Sequence, residues 1–173
     1  MRPATRLIHA PQTPCPAART LNPPLQRGST VLFDSHADFL QAGRGQYPGI
    51  TYGTDRLPLQ RVLEEALRDL EKAALTRVFP SGISAISETL MAFVRAGDHV
   101  LVCDNAYGPT TRFCHEVLAK FGVLCDAIPP DVGADIARFL RPETRLVFLE
   151  SPGSITFEIQ DIPAVTAETR RRG

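Results

Sequence analysis

The sequence has little lysine, no tryptophan and no two cysteines at the close spacing of a Cys-x-x-Cys motif. Of its 19 basic residues only Lys72 and Lys120 are lysines, so few side chains can offer an amine nucleophile. No two cysteines form a Cys-x-x-Cys motif and no histidine stands at metal-ligand spacing from them, which argues against a zinc site and favours free thiols in a reducing cytoplasm. The four cysteines are Cys15, Cys103, Cys114 and Cys125.

Long apolar runs and an excess of one charge are also lacking. The N-terminus has no apolar core segment and no run reaches the length of a membrane span, so we expect a cytoplasmic protein without a membrane partner. The 19 basic residues are balanced by 19 acidic ones, which gives no reason to expect a nucleic-acid partner. The apolar fraction of 43% is typical of a globular chain.

The first third of the chain is irregular and rich in proline and glycine. Within residues 1–57 only "STVLFDS" (29–35) suggests a strand and "HADFLQAG" (36–43) a helix, so we expect a linker or an arm that packs on another surface. From residue 58 the apolar residues of "PLQRVLEEALRDLE" recur at helical spacing, with charges opposite. We therefore place a boundary between residues 57 and 58.

Strands and helices alternate in the remainder of the chain. Apolar runs at 76–80, 98–104, 123–128 and 144–151 predict strands. Helices are predicted after them, at 81–94, 108–122, 133–140 and 162–172. Because the predicted strands are continuous apolar runs, both faces of the sheet are expected to be covered. The pattern predicts an α/β fold with a mostly parallel sheet covered by helices.

Three loops follow predicted strands, where open α/β sheets bind ligands: "PSGIS", "DNAYGP" and "ESPGS". The amides of Gly82 and Ile83 would face outward at the positive end of a helix, which suits a phosphate. Tyr107 offers a ring for stacking and a hydroxyl for proton transfer. Ser154 adds a small polar group.

Each of these signals also has a plain structural explanation. Ser81 is an ordinary helix cap with a turn glycine beside it, Tyr107 an aromatic filling a sheet edge, and "ESPGS" a turn. Together the three loops suit a flat phosphorylated cofactor such as pyridoxal phosphate better than a nucleotide. Neither G-x-G-x-x-G nor a P-loop is present, so a nucleotide-binding module remains the weaker alternative.

The segments "YGTDRLPLQRVLEEALRDLE", "FPSGISAI", "AGDHVLVCDNAYGPT" and "RLVFLESPGSITFEIQDIPAV" resemble the cystathionine β-lyase branch of the Cys/Met-metabolism PLP-dependent enzymes. The resemblance implies the type I, aspartate-aminotransferase-like fold. It also implies pyridoxal 5′-phosphate as cofactor and a homotetramer in which residues 1–57 form an arm on a neighbouring subunit. Residues 58–173 would then be the first half of the large cofactor-binding domain.

The resemblance assigns roles to five residues. Gly82 and Ile83 match amides that bind the cofactor phosphate, and Tyr107 matches the tyrosine that stacks on the ring and moves protons. Tyr52 matches a tyrosine that reaches the phosphate of the neighbouring subunit. Ser154 stands where γ-acting relatives usually carry Asn, which favours β-elimination.

The sequence departs from the family pattern in two ways. The usual Y-x-R motif has Thr54 at its arginine position, with Arg56 out of register. The region that would carry the Schiff-base lysine, the aspartate at the ring nitrogen and the substrate-binding arginine is absent. We read Lys72 and Lys120 as solvated cations at helix ends.

The function implied is a pyridoxal-phosphate-dependent carbon-sulfur lyase. It would cleave cystathionine to homocysteine, pyruvate and ammonia in transsulfuration and methionine biosynthesis. We expect the truncated chain to be inactive alone. The alternatives are a non-catalytic remnant, or a related cystathionine γ-synthase, γ-lyase or cysteine desulfhydrase.

Overall fold

The computed structural model describes residues 22–54 and 56–172 and divides the chain into two compact units, Met1–Val78 and Phe79–Gly173. The division falls later in the chain than the boundary expected at 57/58. Its physical reason is the contact that Glu64 makes with Arg56 and with the backbone of Val78, which ties the helix after residue 57 to the first unit. The expected contact of residues 1–57 with another subunit remains a prediction.

The first unit contains two helices and no strand among the residues described. Helix α1 spans His36–Gly43, as predicted, and begins where the Ser35 hydroxyl accepts the Asp38 N–H at 3.1 Å. The expected strand at 29–35 is wrong. The Ser29 carbonyl instead accepts a single hydrogen bond from Gly53, and Phe33 packs edge-on against Phe39 and Tyr47.

Helix α2 spans Pro58–Glu71 and confirms the predicted amphipathic helix. Pro58 occupies the first turn, where its missing N–H costs nothing, and the Gln60 side chain accepts the free N–H of Leu57 at 2.8 Å. The helix ends at Lys72, whose φ of 53° is left-handed. One member of its charged face, Glu64, is buried, which the periodicity did not predict.

The second unit carries the alternating elements. Its helices and strands are α3 (Gly82–Phe93), β1 (His99–Cys103), α4 (Gly108–Arg112), β2 (Leu124–Ile128), β3 (Thr144–Phe148) and α5 (Ile162–Arg171). The helix predicted at 108–122 is irregular after its first turn, with a π-helical turn at Phe113–Val117 and a 3₁₀ turn at Leu118–Phe121. Gly133–Arg138 is 3₁₀ rather than α-helical, and the predicted strand at 76–80 is not formed.

The three strands form a parallel sheet in the order β2-β1-β3, which confirms the predicted α/β architecture. The central strand β1 is buried at all five residues, whereas β2 and β3 are partly exposed. Full coverage of both faces was therefore predicted correctly only for the central strand. The edge strands each have one neighbour within the described residues, so their outer sides stay open.

The core of the second unit forms around β1. Leu90 of α3 and Val165 of α5 pack with the strand, together with Leu118 and Ile136 from the irregular turns. His99, also fully buried, joins β1 to β3 because its Nδ1 lies 2.8 Å from the Thr144 hydroxyl. Within residues 22–54 and 56–172, no helix has the length and apolarity that a membrane span requires.

Candidate functional site

The carboxyl ends of β1 and β3 are neighbours, and the loops that follow them are joined. The backbone N–H of Tyr107, after β1, donates to the Glu150 carboxylate, after β3, at 2.9 Å. Tyr107 is 48% exposed, which leaves part of its side chain accessible and is compatible both with ligand stacking and with a half-buried aromatic at the sheet edge. Gly108 begins α4 immediately after this tyrosine, and α4 packs against α3.

Asn105 fixes the loop that carries Ser154. Its carbonyl accepts the Ser154 N–H at 2.8 Å, and its side-chain amide donates to Glu158 at 3.1 Å. A methyl group on Gly153 would stand 2.5 Å from the Asn105 Cγ, so only glycine permits this approach. Ile155 and Phe157 have positive φ, a conformation that non-glycine residues keep only where their surroundings impose it.

Gln160 holds the Asn105 side chain by a hydrogen bond. Its amide donates to the Asn105 side-chain oxygen at 3.1 Å, and its backbone N–H donates to the Ser151 hydroxyl at 3.0 Å. Burial raises the pKa of the neighbouring Cys103 thiol above its ordinary value, against the opposing effect of a hydrogen bond with Gln160. Cys103, the last residue of β1, is therefore a neutral thiol and not a nucleophile.

The start of α3 has the features of an anion site. The Ser81 hydroxyl caps the helix by accepting the Ser84 N–H at 3.1 Å, which leaves the amides of Gly82 and Ile83 without partners inside the helix. No atom lies within 4 Å of an ideal Cβ at Gly82, so the backbone is open to a ligand. The cap at Ser81 is confirmed. An anion would use the different amides of Gly82 and Ile83, and its binding there remains a prediction.

Tyr52 belongs to the first unit, where its neighbour Gly53 anchors it. The Gly53 N–H donates to the Ser29 carbonyl at 2.6 Å, and a Cβ on Gly53 would stand 2.7 Å from the carbonyl carbon of Gly28. The Tyr52 ring is 48% exposed and Thr54 is exposed. Both side chains are thus accessible on one short turn.

Arg56 does not replace the arginine expected at position 54. Its guanidinium lies 3.2 Å from the buried carboxylate of Glu64, so the charge is already engaged inside the first unit.

Neither lysine occupies a strand-end loop. Lys72 ends α2 and Lys120 lies in the 3₁₀ turn before β2, and both are exposed. Both amines are therefore solvent-exposed cations at helix ends, away from the loops that follow the strands.

One cavity of the second unit lies away from these loops. It measures about 530 Å³ and follows the open side of β3 beneath α5, lined by Leu146, Val147 and Val165 among others. None of Gly82, Tyr107 and Ser154 lines it. This cavity lies along the edge strand β3 and is open to solvent, so it is not a closed ligand pocket.

Two of the five predicted site residues are tied to a facing loop: Tyr107 bonds to Glu150, and Ser154 belongs to a network of Asn105, Glu158 and Gln160. Gly82 and Ile83 begin the helix packed beside α4. The network members Asn105, Glu158 and Gln160 were not predicted as site residues, and Gln160 carries no local motif that would have revealed it. Asn105 stood inside the quoted loop "DNAYGP" and was detectable as a strand-end polar residue.

The residues present fit a planar phosphorylated cofactor. Open helix-start amides at Gly82 suit the phosphate, and the half-exposed ring of Tyr107 suits the plane. The described residues contain no cluster of three potential metal ligands.

Residues 4–173 match the family described as Cys/Met metabolism PLP-dependent enzyme. A putative cystathionine beta-lyase of Rhizobium johnstonii is 43% identical over 169 residues, which cover 98% of this chain and 42% of that protein. Cystathionine beta-lyase MetC of Escherichia coli is 38% identical over 167 residues, which cover 96% of this chain and 42% of that protein.

A solved structure described as cystathione gamma lyase (CalE6) of Micromonospora echinospora superposes on the chain with a TM-score of 0.82 and 28% identity. The superposition covers all of this chain and 43% of that protein. The chain thus spans less than half the length of these relatives, and its fold is that of the PLP-dependent cystathionine lyases. With residues 4–173 matched, the chain belongs to the Cys/Met metabolism family of PLP-dependent enzymes.

Proposed function

We propose that this chain supplies the phosphate-binding and ring-stacking part of a pyridoxal-phosphate-dependent carbon-sulfur lyase of the cystathionine β-lyase type. The observation that carries the proposal is the hydrogen-bonded pair of loops at the carboxyl edge of the sheet, Tyr107 to Glu150 and Ser154 to Asn105. These contacts hold an accessible aromatic ring and a small polar side chain on rigid supports, as a bound planar cofactor requires.

The proposal gives each of these residues a role. The amides of Gly82 and Ile83 bind the cofactor phosphate at the positive end of α3. Tyr107 stacks on the ring and offers its hydroxyl for proton transfer at the substrate. Glu150 and Asn105 orient the two loops, and Tyr52 reaches the phosphate bound by a neighbouring copy of the protein.

When bound, pyridoxal phosphate supplies an electron sink for the charge left at the substrate Cα. The chain's own contribution is to fix the plane of the ring and the position of the phosphate. Such fixation lowers the entropic cost of bringing the reacting groups together.

Ser154 favours β-elimination over γ-chemistry in the proposal. Its N–H is held by Asn105, so its short side chain stays close to the loop and leaves more room than a longer amide would. The substrate is therefore cystathionine or a related β-thio amino acid, with homocysteine, pyruvate and ammonia as products. The γ-synthase and γ-lyase activities for which other relatives are named are the competing assignments.

A second candidate is a non-catalytic cofactor-binding chain. The exposed positions of Lys72 and Lys120, both away from the strand-end loops, favour it for this molecule taken alone. The two candidates share the cofactor site and differ in whether turnover occurs.

Pyridoxamine 5′-phosphate tests the shared site, because it cannot condense with lysine and so reports non-covalent binding alone. We expect saturable binding by the 173-residue chain, measured by the ligand's fluorescence anisotropy, and much weaker binding of pyridoxamine without the phosphate. Ser81→Asp, which places a negative charge at the start of α3, and Tyr107→Ala should each weaken binding. Equal affinities for the two ligands would refute the phosphate site.

A further inference from the structure

The first unit contains a hollow lined by arginines that the cofactor site does not use. It measures about 340 Å³, at the lower end of small-molecule pockets. We call it the arginine hollow; its charged lining residues are Arg56, Arg61, Arg68, Arg77, Glu64 and Glu65.

One carboxylate serves two of these arginines. Glu64 is 6% exposed, and its Oε2 lies 3.2 Å from Arg56 and 3.7 Å from Arg77. Its Oε1 accepts the backbone N–H of Val78 at 3.1 Å, so both oxygens are already in use. A single negative charge cannot neutralise two guanidinium groups, and a positive charge is left over at the wall of the hollow.

Arg61 adds a second positive charge, and no described residue forms an ion pair with it. Its Nε donates to the Arg56 carbonyl at 3.2 Å, which fixes the plane of the guanidinium. Its terminal nitrogens find no acceptor among residues 22–54 and 56–172, although the side chain lines the hollow.

The other acidic side chains near the arginine hollow neutralise its positive charge only weakly. Arg68 meets Asp69 at 3.5 Å, with both side chains about half exposed, so water screens that pair strongly. Glu65 is exposed and makes no ion pair with another described residue. Among the described lining residues, four arginines face two glutamates, an excess of two positive charges.

We propose that the arginine hollow is a binding site for a doubly charged oxyanion, namely a phosphate group, carried by a small molecule or free in solution. Guanidinium groups donate in a planar fork that matches two phosphate oxygens, and Arg61 is already oriented for such a fork. The site lies wholly in the first unit and does not depend on the cofactor site of the second.

The test measures phosphate binding by the 173-residue chain at constant ionic strength, with Arg Nε–H NMR signals as readout. Inorganic phosphate and glycerol 3-phosphate are titrated separately, which distinguishes the free ion from a phosphate monoester. Arg61→Met should weaken binding about three- to tenfold, the range expected for a charge-assisted contact that water partly screens. Glu65→Gln, which removes an unpaired carboxylate from the rim, should strengthen it.

Two controls make the result decisive. Arg138→Met removes an exposed arginine that pairs with Asp135 at 3.2 Å in the second unit, and it should leave phosphate affinity unchanged. Ser81→Asp places a negative charge at the start of α3 and should weaken cofactor binding there. It should leave the phosphate-induced changes in the Arg Nε–H signals of the arginine hollow as they are in the parent chain. Failure of the cofactor site can therefore be told apart from failure of this site. Equal affinity in Arg61→Met and the parent chain, or an equal loss in Arg138→Met, would overturn the proposal.

Discussion

The Glu150 carboxylate accepts the backbone N–H of Tyr107 at 2.9 Å, although the two residues stand 43 positions apart in the chain. The contact connects the loops that follow two neighbouring parallel strands. Because a backbone amide is the donor, it fixes the main chain from which the Tyr107 ring projects, while the ring itself stays half exposed. The position of the candidate stacking residue is thus set by a side chain on another loop.

Glu150→Ala should release this contact. The lost hydrogen bond is to a charged acceptor at an exposed site, so we expect a fall of about 0.5–1.5 kcal/mol in the free energy of unfolding. Pyridoxamine 5′-phosphate should also bind more weakly, because Tyr107 is no longer held. Urea unfolding and fluorescence anisotropy measure the two effects.

Glu150→Gln is the matched control, since it keeps an oxygen acceptor without the charge. It should retain most of the stability and of the ligand affinity. If Gln and Ala behave alike, the contact does not position Tyr107.

Gly153→Ala should be destabilising by about 1–3 kcal/mol, the usual cost of overpacking a tight contact. The added methyl would stand 2.5 Å from the Asn105 Cγ, and Asn105 is itself held by Glu158 and Gln160. The side chain therefore cannot swing away without breaking two hydrogen bonds. Thermal unfolding followed by circular dichroism measures the change.

Gly82→Ala serves as the comparison, because no atom lies within 4 Å of its ideal Cβ and alanine suits a helix better than glycine. It should unfold at or slightly above the temperature of the parent chain. Equal losses in the two variants would mean that the Gly153 contact is not tight in solution.

The sequence predicted most of what depends on local periodicity. Helices α1, α2, α3 and α5 lie where spacing and capping residues indicated, and the buried run of β1 is the sheet centre. The strands expected at 29–35 and 76–80 are not formed, because a strand depends on a partner and no local pattern specifies one. The π-helical turn at Phe113–Val117 is likewise invisible to a 3.6-residue pattern.

The site was predictable in part for the same reason. Tyr107 follows strand β1, where a topological rule places ligand sites, whereas the strand expected before Gly82 is not formed. The pairing of Asn105 with Gln160 spans 55 positions, and the burial of Glu64 depends on arginines outside its helix. Contacts of this kind are set by tertiary packing, so single-sequence reasoning did not find them.

Cys125 should be the most readily alkylated of the three described cysteines. A hydrogen bond from the Cys114 thiol lowers the pKa of Cys125, while that bond and burial raise the pKa of Cys114. Because the thiolate is the reactive form, iodoacetamide should modify Cys125 at a lower pH than Cys103, whose pKa is raised by burial. Peptide mass spectrometry across a pH series measures the order.

Cys114→Ala removes the donor and should shift the alkylation of Cys125 to higher pH, whereas Cys114→Ser keeps a donor and should shift it less. An unchanged profile in Cys114→Ala would show that the two thiols do not interact in solution.

The chain alone should release no thiol from L-cystathionine in the presence of pyridoxal phosphate. Lys72 and Lys120 are exposed at helix ends, and neither lies in a loop that follows a strand. Trapping with borohydride should therefore label both lysines slowly and without saturation. Thiol release is followed with a disulfide dye, with the Escherichia coli relative as positive control, and labelling by peptide mass spectrometry. Saturable labelling of one lysine, lost on its replacement by arginine and accompanied by turnover, would mean that this chain carries its own catalytic amine.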